Sequence, residues 1–302
     1  MMVLFQRKII YLPSVPPGTR NEPLDPIPHD LKGFDWEQVR VRSTAPTRWL
    51  RRDVELRGIQ LRPLTVEKAG KKEMGATKAG GKQVLVVYLQ GNAGTPLLRL
   101  PLFRRLLSTS TPSTPLTILA VAPRSFWLST RSTPTQPTLL ADYSSIISYA
   151  HKQYPGASIV LYGHSLGGAV VALYLARATE EERNRVRGVV LENPLPSIPY
   201  MVRALYPQKW LPYHYLGPLV FDKWDTLRAL SSISTNSQPL PSSLWIRSGA
   251  DEAIPNEEER GGGVEEMYEK WNGQKKWVRV EGALHDTAFL KEDWRKEMGA
   301  FW

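Results

Sequence analysis

The chain has 302 residues, 42% of them apolar and 23% charged, a composition that fills a large core and excludes global disorder. It has no cysteine, which excludes a disulfide framework, a cysteine-held zinc or iron–sulfur site and a thiol nucleophile. The net charge of +10 makes the surface basic, but the basic residues are dispersed rather than grouped with stacking aromatics, so no nucleic acid is expected as a partner.

Residues 1–35 carry Pro13, Pro16, Pro17, Pro23, Pro26 and Pro28 and read as an extended arm wrapped on the body. No apolar run reaches the roughly 18 residues of a membrane span. The apolar start Met1–Phe5 meets Arg7 and Lys8 too early for a signal peptide. An intracellular protein is expected, with shallow membrane contact through Met1, Met2, Val3, Leu4 and Phe5 left open.

The body is expected over 36–302. Val39–Arg42 and Val54–Pro63 read as edge strands, because apolar residues there alternate with charged ones. Val66–Lys82, rich in Lys, Gly and Ala, reads as a surface loop and lacks phosphate-loop spacing. Val84–Leu89, Leu116–Ala122 and Ser158–Tyr162 are continuous apolar runs, as strands buried on both faces are. Val186–Leu191, Leu244–Arg247 and Trp277–Val280 complete the strands. Between them Leu139, Leu140, Tyr143, Ile146, Ile147 and Ala150 recur at helical spacing, and Val170–Leu175 suits a helix buried nearly all round. Such alternation predicts an α/β fold: a mostly parallel central sheet with helices on both faces. Arg124–Pro137 is a Ser/Thr/Pro loop bearing Phe126 and Trp127. Residues 194–241 are long, aromatic and proline-rich, and a structureless loop of that length is improbable, so a small cap of short helices is predicted.

Gly163-His164-Ser165-Leu166-Gly167 fits G-x-S-x-G, follows a buried strand and opens an apolar helix. In that context the turn lifts the Ser165 hydroxyl above the sheet edge, and the helix amino end aims its N–H groups where an oxyanion would form.

With Phe5-Gln6, Tyr11-Leu12-Pro13, Gly91-Asn92-Ala93-Gly94, Glu192-Asn193-Pro194, Ser197-Ile198-Pro199, Ser248-Gly249-Ala250-Asp251-Glu252 and His285-Asp286-Thr287, this elbow makes the chain resemble the α/β-hydrolase superfamily. It looks closest to the bud-emergence (Bem-like) subgroup. The resemblance implies a chain order of serine, acid, histidine. His285 alone among the five histidines follows the last strand, so it is the expected base. Asp251 is the expected acid, with Glu252 and Glu192 as alternatives; Asp286 is expected to fix the loop. The oxyanion donors are the backbone N–H groups of Leu166 and Asn92.

Two stretches depart from the family pattern. Gln90 replaces a histidine, and Ala122–Leu128 lacks the usual glycines and brings Phe126 and Trp127 close to the site. The expected activity is cleavage of a carboxylic ester or thioester through an acyl-enzyme, without metal or organic cofactor. The aromatic cap and the subgroup favour a lipid-like ester or an S-acylated protein as substrate. The subgroup also implies an amino-terminal anchor, which would precede Phe5. A non-catalytic binding protein and a peripheral membrane scaffold remain the other readings.

Overall fold

The computed structural model describes residues 2–24, 31–46, 51–64, 83–205, 208–210, 212–234, 240–254 and 263–302. The loop expected over Val66–Lys82 lies outside them.

The chain opens with helix α1, Met2–Ile10, where an extended arm was expected. The prolines responsible for that expectation begin only at Pro13, so nothing in Met2–Ile10 opposes a helix. Two long strands follow, β1 (Phe34–Pro46) and β2 (Arg51–Pro63), paired antiparallel. Of these two, β1 alone is an edge; β2 also pairs with a central strand, β4, through Gly58–Leu61, which corrects the edge reading of Val54–Pro63. The alternation that suggested an edge reflects one charged row beside buried Val54, Leu56, Ile59 and Leu61.

The parallel part comprises β3 (Val84–Leu89), β4 (Leu116–Val121), β5 (Ser158–His164), β6 (Val186–Glu192), β7 (Ser242–Ser248) and β8 (Lys275–Val280). The eight-stranded order is β1-β2-β4-β3-β5-β6-β7-β8. Every residue of β3, β4 and β5 is buried, which is why these strands read as unbroken apolar runs.

Helices surround the sheet in two contiguous groups. Helix α2 (Leu100–Leu107) touches α9 (Glu292–Phe301); α3 (Gln136–Gln153), α4 (Leu166–Arg177), α7 (Thr226–Ser234) and α8 (Val264–Lys270) touch in succession. Short α5 (Glu180–Asn184) is closed by Thr179 and Glu182 in a reciprocal cap and leads into β6. Trp127, Trp224, Trp245, Trp271 and Trp294 are fully buried. Each Trp removes on the order of 200 Å² from water, so these five anchor the core.

Between β6 and β7 the chain forms α6 (Ile198–Leu205), two single-turn 3-10 segments (Pro212–Tyr215 and Gly217–Leu219) and α7. Helix α7 packs on α4 and α8 and so belongs to the body, whereas α6 lies against the two turns. The amino terminus is fastened to this insertion. Asp222 accepts from Arg7 Nε at 3.2 Å and from the Tyr11 hydroxyl at 3.1 Å. Gln6 accepts from the Phe221 N–H at 2.8 Å, and Trp224 Nε1 donates to the Tyr11 hydroxyl at 3.0 Å. Among the described residues no helix is long and apolar enough to cross a membrane.

Candidate active site

Ser165 ends β5 and starts α4 with φ 53° and ψ −115°. A non-glycine residue held there costs on the order of 1–3 kcal/mol, so the surroundings must impose it. They do: the Ser165 N–H donates to the Glu192 carbonyl at 2.9 Å, and the Ser165 carbonyl accepts from Gly168 (2.9 Å) and Leu195 (3.0 Å). The flanking glycines are required by close approach. A Cβ on Gly163 would lie 2.6 Å from the Gly167 carbonyl oxygen, and one on Gly167 would lie 2.0 Å from that of Leu89. Leu166 is the first helical residue of α4, where N–H groups have no intrahelical acceptor and the helix dipole is positive.

Asp251 follows β7, and His285 sits in the turn after β8. His285 Nδ1 lies 2.9 Å from Asp251 Oδ1 and 3.1 Å from Oδ2. The carboxylate also accepts from the Ala253 and Ile254 N–H groups, each at 2.9 Å, and from the buried Arg247 guanidinium. Burial works against its charge; the His285 hydrogen bond, the Ile254 N–H and Arg247 outweigh that and hold the carboxyl below its usual value. The other two candidate acids do not meet the ring. Glu252 accepts from the His285 backbone N–H at 2.9 Å. Glu192 is buried and takes the Tyr162 hydroxyl; burial raises its pKa against that bond and the charge of Arg99. Asp286 pairs with Arg99 at 3.6 Å.

Two residues to which the sequence assigned no role here hold the His285 backbone. The His285 carbonyl accepts from Asn193 Nδ2 at 2.7 Å and from His164 Nε2 at 3.0 Å. Asn193, with φ 43° and no exposed surface, also donates to Ser248 Oγ at 2.8 Å and accepts from the Ser248 N–H at 2.8 Å. His164 has its pKa pushed well below the usual value by burial, then by the charges of Arg99 and His285. A neutral ring donating through Nε2 leaves Nδ1 a bare acceptor, and that atom is buried without a partner. The His164 and His285 rings are 4.9 Å apart between centroids, so His285 stands beside the residue that precedes Ser165. No hydrogen bond joins Ser165 Oγ to the imidazole in this structure.

The turn bearing Asn92 lies against the elbow: a Cβ on Gly91 would come within 3.6 Å of Ser165 Cβ. Gln90, where the family pattern has histidine, donates through Nε2 to the Gly94 carbonyl at 3.4 Å and closes the turn. The amino-terminal segment braces it from outside, with the Leu12 N–H on the Asn92 carbonyl at 2.8 Å and the Gly94 N–H on the Val15 carbonyl at 2.9 Å.

The loop after β4 buries the two aromatics that were expected close to the site. Phe126 and Trp127 have no exposed surface, and Trp127 Nε1 donates to the Glu22 carbonyl at 2.9 Å. Arg124 is equally buried, forked onto Asp142 at 2.9 and 2.6 Å. A groove of about 380 Å³ between Leu100–Ser108 and Phe289–Leu290 is lined by none of the residues above. Among the described residues no group of three His, Asp or Glu could hold a metal ion.

A mostly parallel sheet with a serine elbow after its third parallel strand, and an acid and a histidine on later loops of the same rim, defines an α/β hydrolase fold. Solved structures share it. An esterase of Pyrococcus furiosus superposes with TM-score 0.57 at 18% identity, over 93% of this chain and 95% of that one. A thermostable esterase of Pseudomonas putida gives 0.57 at 17%, over 91% and 83%. The family described as "Serine aminopeptidase, S33" matches residues 131–224, which span the elbow and stop before Asp251 and His285. Among curated proteins, bem46 of Schizosaccharomyces pombe is 25% identical over 173 residues, 56% of this chain and 52% of that one. The α/β-hydrolase domain-containing protein WAV2 of Arabidopsis thaliana is 24% identical over 265 residues, 84% and 73%. This chain spans about half the length of bem46. It has the α/β-hydrolase fold and is similar in sequence to Bem-like proteins of that superfamily.

Proposed function

We propose that the chain is a serine hydrolase that cleaves a carboxylic ester or thioester, with lipid-like or S-acyl substrates favoured. The observation that carries this reading is the His285–Asp251 pair. The carboxylate takes Nδ1 and is itself fixed by Arg247 and two N–H groups, which leaves Nε2 as the proton acceptor. Ser165 Oγ bonds to the acyl carbon and gives its proton to His285 Nε2. The oxyanion rests on the Leu166 and Asn92 N–H groups, each donor worth about 3–4 kcal/mol in the transition state. The carbon–oxygen or carbon–sulfur bond breaks, and the leaving group takes the proton from His285. Water then repeats the sequence on the acyl-serine and frees the acid. The esterase neighbours support the class of chemistry, and the aromatic insertion over 194–241, read as a cap, supports an apolar acyl group.

A fluorophosphonate probe tests the reading. Wild type is labelled, Ser165→Ala is not, and Asp251→Ala and His285→Ala are labelled slower by about three orders of magnitude or more. Turnover of p-nitrophenyl esters rises beyond acetyl as the acyl chain lengthens. Equal labelling of wild type and Ser165→Ala removes Ser165 from the mechanism.

The missing hydrogen bond between Ser165 and the imidazole favours a second reading, a binding protein on the same fold that performs no chemistry. Catalytic hydrogen bonds often tighten only around substrate, so this geometry alone does not decide. Absence of both labelling and ester turnover in folded protein selects the second reading.

A further inference from the structure

The amino-terminal helix and the insertion after β6 leave an unusual surface. On α1, Phe5 and Ile9 are one helical turn apart, 43% and 52% exposed, while Ile10 faces the core. On the insertion, Leu205, Tyr215 and Leu219 are more than half exposed, Phe221 is 66% exposed and Trp210 is 80% exposed. The two segments adjoin. Gln6 bridges them, donating to the Leu219 carbonyl at 3.3 Å and accepting from the Phe221 N–H at 2.8 Å, and α6 lies against both 3-10 turns. Single exposed apolar residues need no explanation, but aromatics gathered in one face do.

The charges around this face have one sign. Segments 2–12 and 194–224 hold Arg7, Lys8, Arg203, Lys209 and Lys223, and their one acid is Asp222. Asp222 is 3% exposed and already bonded to Arg7 and Tyr11, so the face presents cations and no free carboxylate. Trp and Tyr sit at the level of lipid headgroups, Phe and Leu reach the acyl boundary, and Lys and Arg meet anionic phosphates. We propose that α1 and the described residues 205, 208–210 and 212–223 together form a docking surface for an anionic lipid bilayer. The face lies on the surface of the bilayer rather than crossing it.

The test is co-sedimentation of the full chain with phosphatidylcholine vesicles, alone or containing roughly one-third phosphatidylserine. Wild type sediments with the anionic vesicles, less so as salt is raised. Trp210→Ser combined with Phe221→Ser lowers partition about tenfold or more on these vesicles. Lys8→Glu combined with Lys209→Glu lowers it about tenfold or more, because each cation near such a surface is worth roughly fivefold. Leu64→Ser, at an apolar residue 57% exposed just after β2, binds as wild type. Unchanged melting temperatures show that the variants fold. The proposal is overturned if wild type sediments with neither vesicle, if both double variants bind as wild type, or if Leu64→Ser loses binding equally. A protein found to need this face while vesicles are ignored overturns it too. Sedimentation reads the surface alone, so its outcome is separate from probe labelling at Ser165.

Discussion

Asn193 joins three strands' worth of the candidate site with one amide. Its Nδ2 reaches the His285 carbonyl and Ser248 Oγ, and its Oδ1 takes the Ser248 N–H. Truncation to alanine strips those partners inside the core. Asn193→Ala is expected to lose about 2–4 kcal/mol in urea denaturation, and, if esters are turned over as proposed, turnover falls further than the stability loss explains because the His285 loop drifts. The partner of His285 is legible at this scale, since Asp251 ends a Gly-containing turn after an apolar strand. Asn193, His164 and Arg247 are not, because their roles arise from contacts between segments that only folding brings together. One local signal existed for Asn193: asparagine is among the few residues that tolerate the left-handed region it occupies.

Two carboxylates give opposite pH behaviour. Asp251 titrates below its usual value when folded, so it binds fewer protons folded than unfolded. Its stabilisation is therefore complete above the unfolded value of about 4 and is lost as pH falls through the lower folded value. Asp251→Asn starts about 3 kcal/mol less stable at neutral pH, because the buried Arg247 guanidinium loses its carboxylate, and loses less on acidification; acid-unfolding curves monitored by circular dichroism show this. Glu192 is raised by burial, so the folded chain binds the extra proton and stability declines as pH rises from the ordinary carboxyl value toward the folded one. Glu192→Gln keeps an acceptor for the Tyr162 hydroxyl and removes that decline, which raises the melting temperature at neutral pH.

At the scale of elements, the elbow depends on strand and helix nearly touching. In Gly167→Ala the new methyl meets the Leu89 carbonyl at 2.0 Å, and neither β3 nor α4 can retreat. A loss of about 3 kcal/mol or more in chemical denaturation is expected. Asp222→Ala unties α1 from the insertion at a cost of about 1–3 kcal/mol, seen as faster proteolysis near the amino terminus than in wild type. The buried strands were legible because burial on both faces writes an unbroken apolar run. Helix α1 was not: six prolines counted over the whole arm hid a proline-free start. The buried role of Phe126 and Trp127 was hidden as well. A Ser/Thr/Pro setting looks exposed in sequence, yet the arm covers these rings and supplies a carbonyl to Trp127.

At the scale of the whole molecule, a surface of net charge +10 draws anions from beyond contact range. If esters are turned over, kcat/KM for an anionic ester falls as salt rises from low to physiological strength, while that for a neutral ester of equal length holds; stopped assays across a salt series read the ratio. The parallel arrangement followed from strand–helix alternation, but the order of strands did not. That β2 would lie beside β4 rather than beside β3 rests on pairing between segments far apart in the chain, which alternation does not encode.

The bonds from Gln6, Arg7 and Tyr11 to Leu219, Phe221 and Asp222 carry a consequence for birth on the ribosome. Tyr11 and Asp222 are separated by 211 residues. At about 5–20 residues per second, the nascent first helix waits some ten to forty seconds before its acceptor is made. Through that interval Gln6, Arg7 and Tyr11 lack these partners, and α1 gains its tie to the insertion only when about three-quarters of these 302 residues have been made.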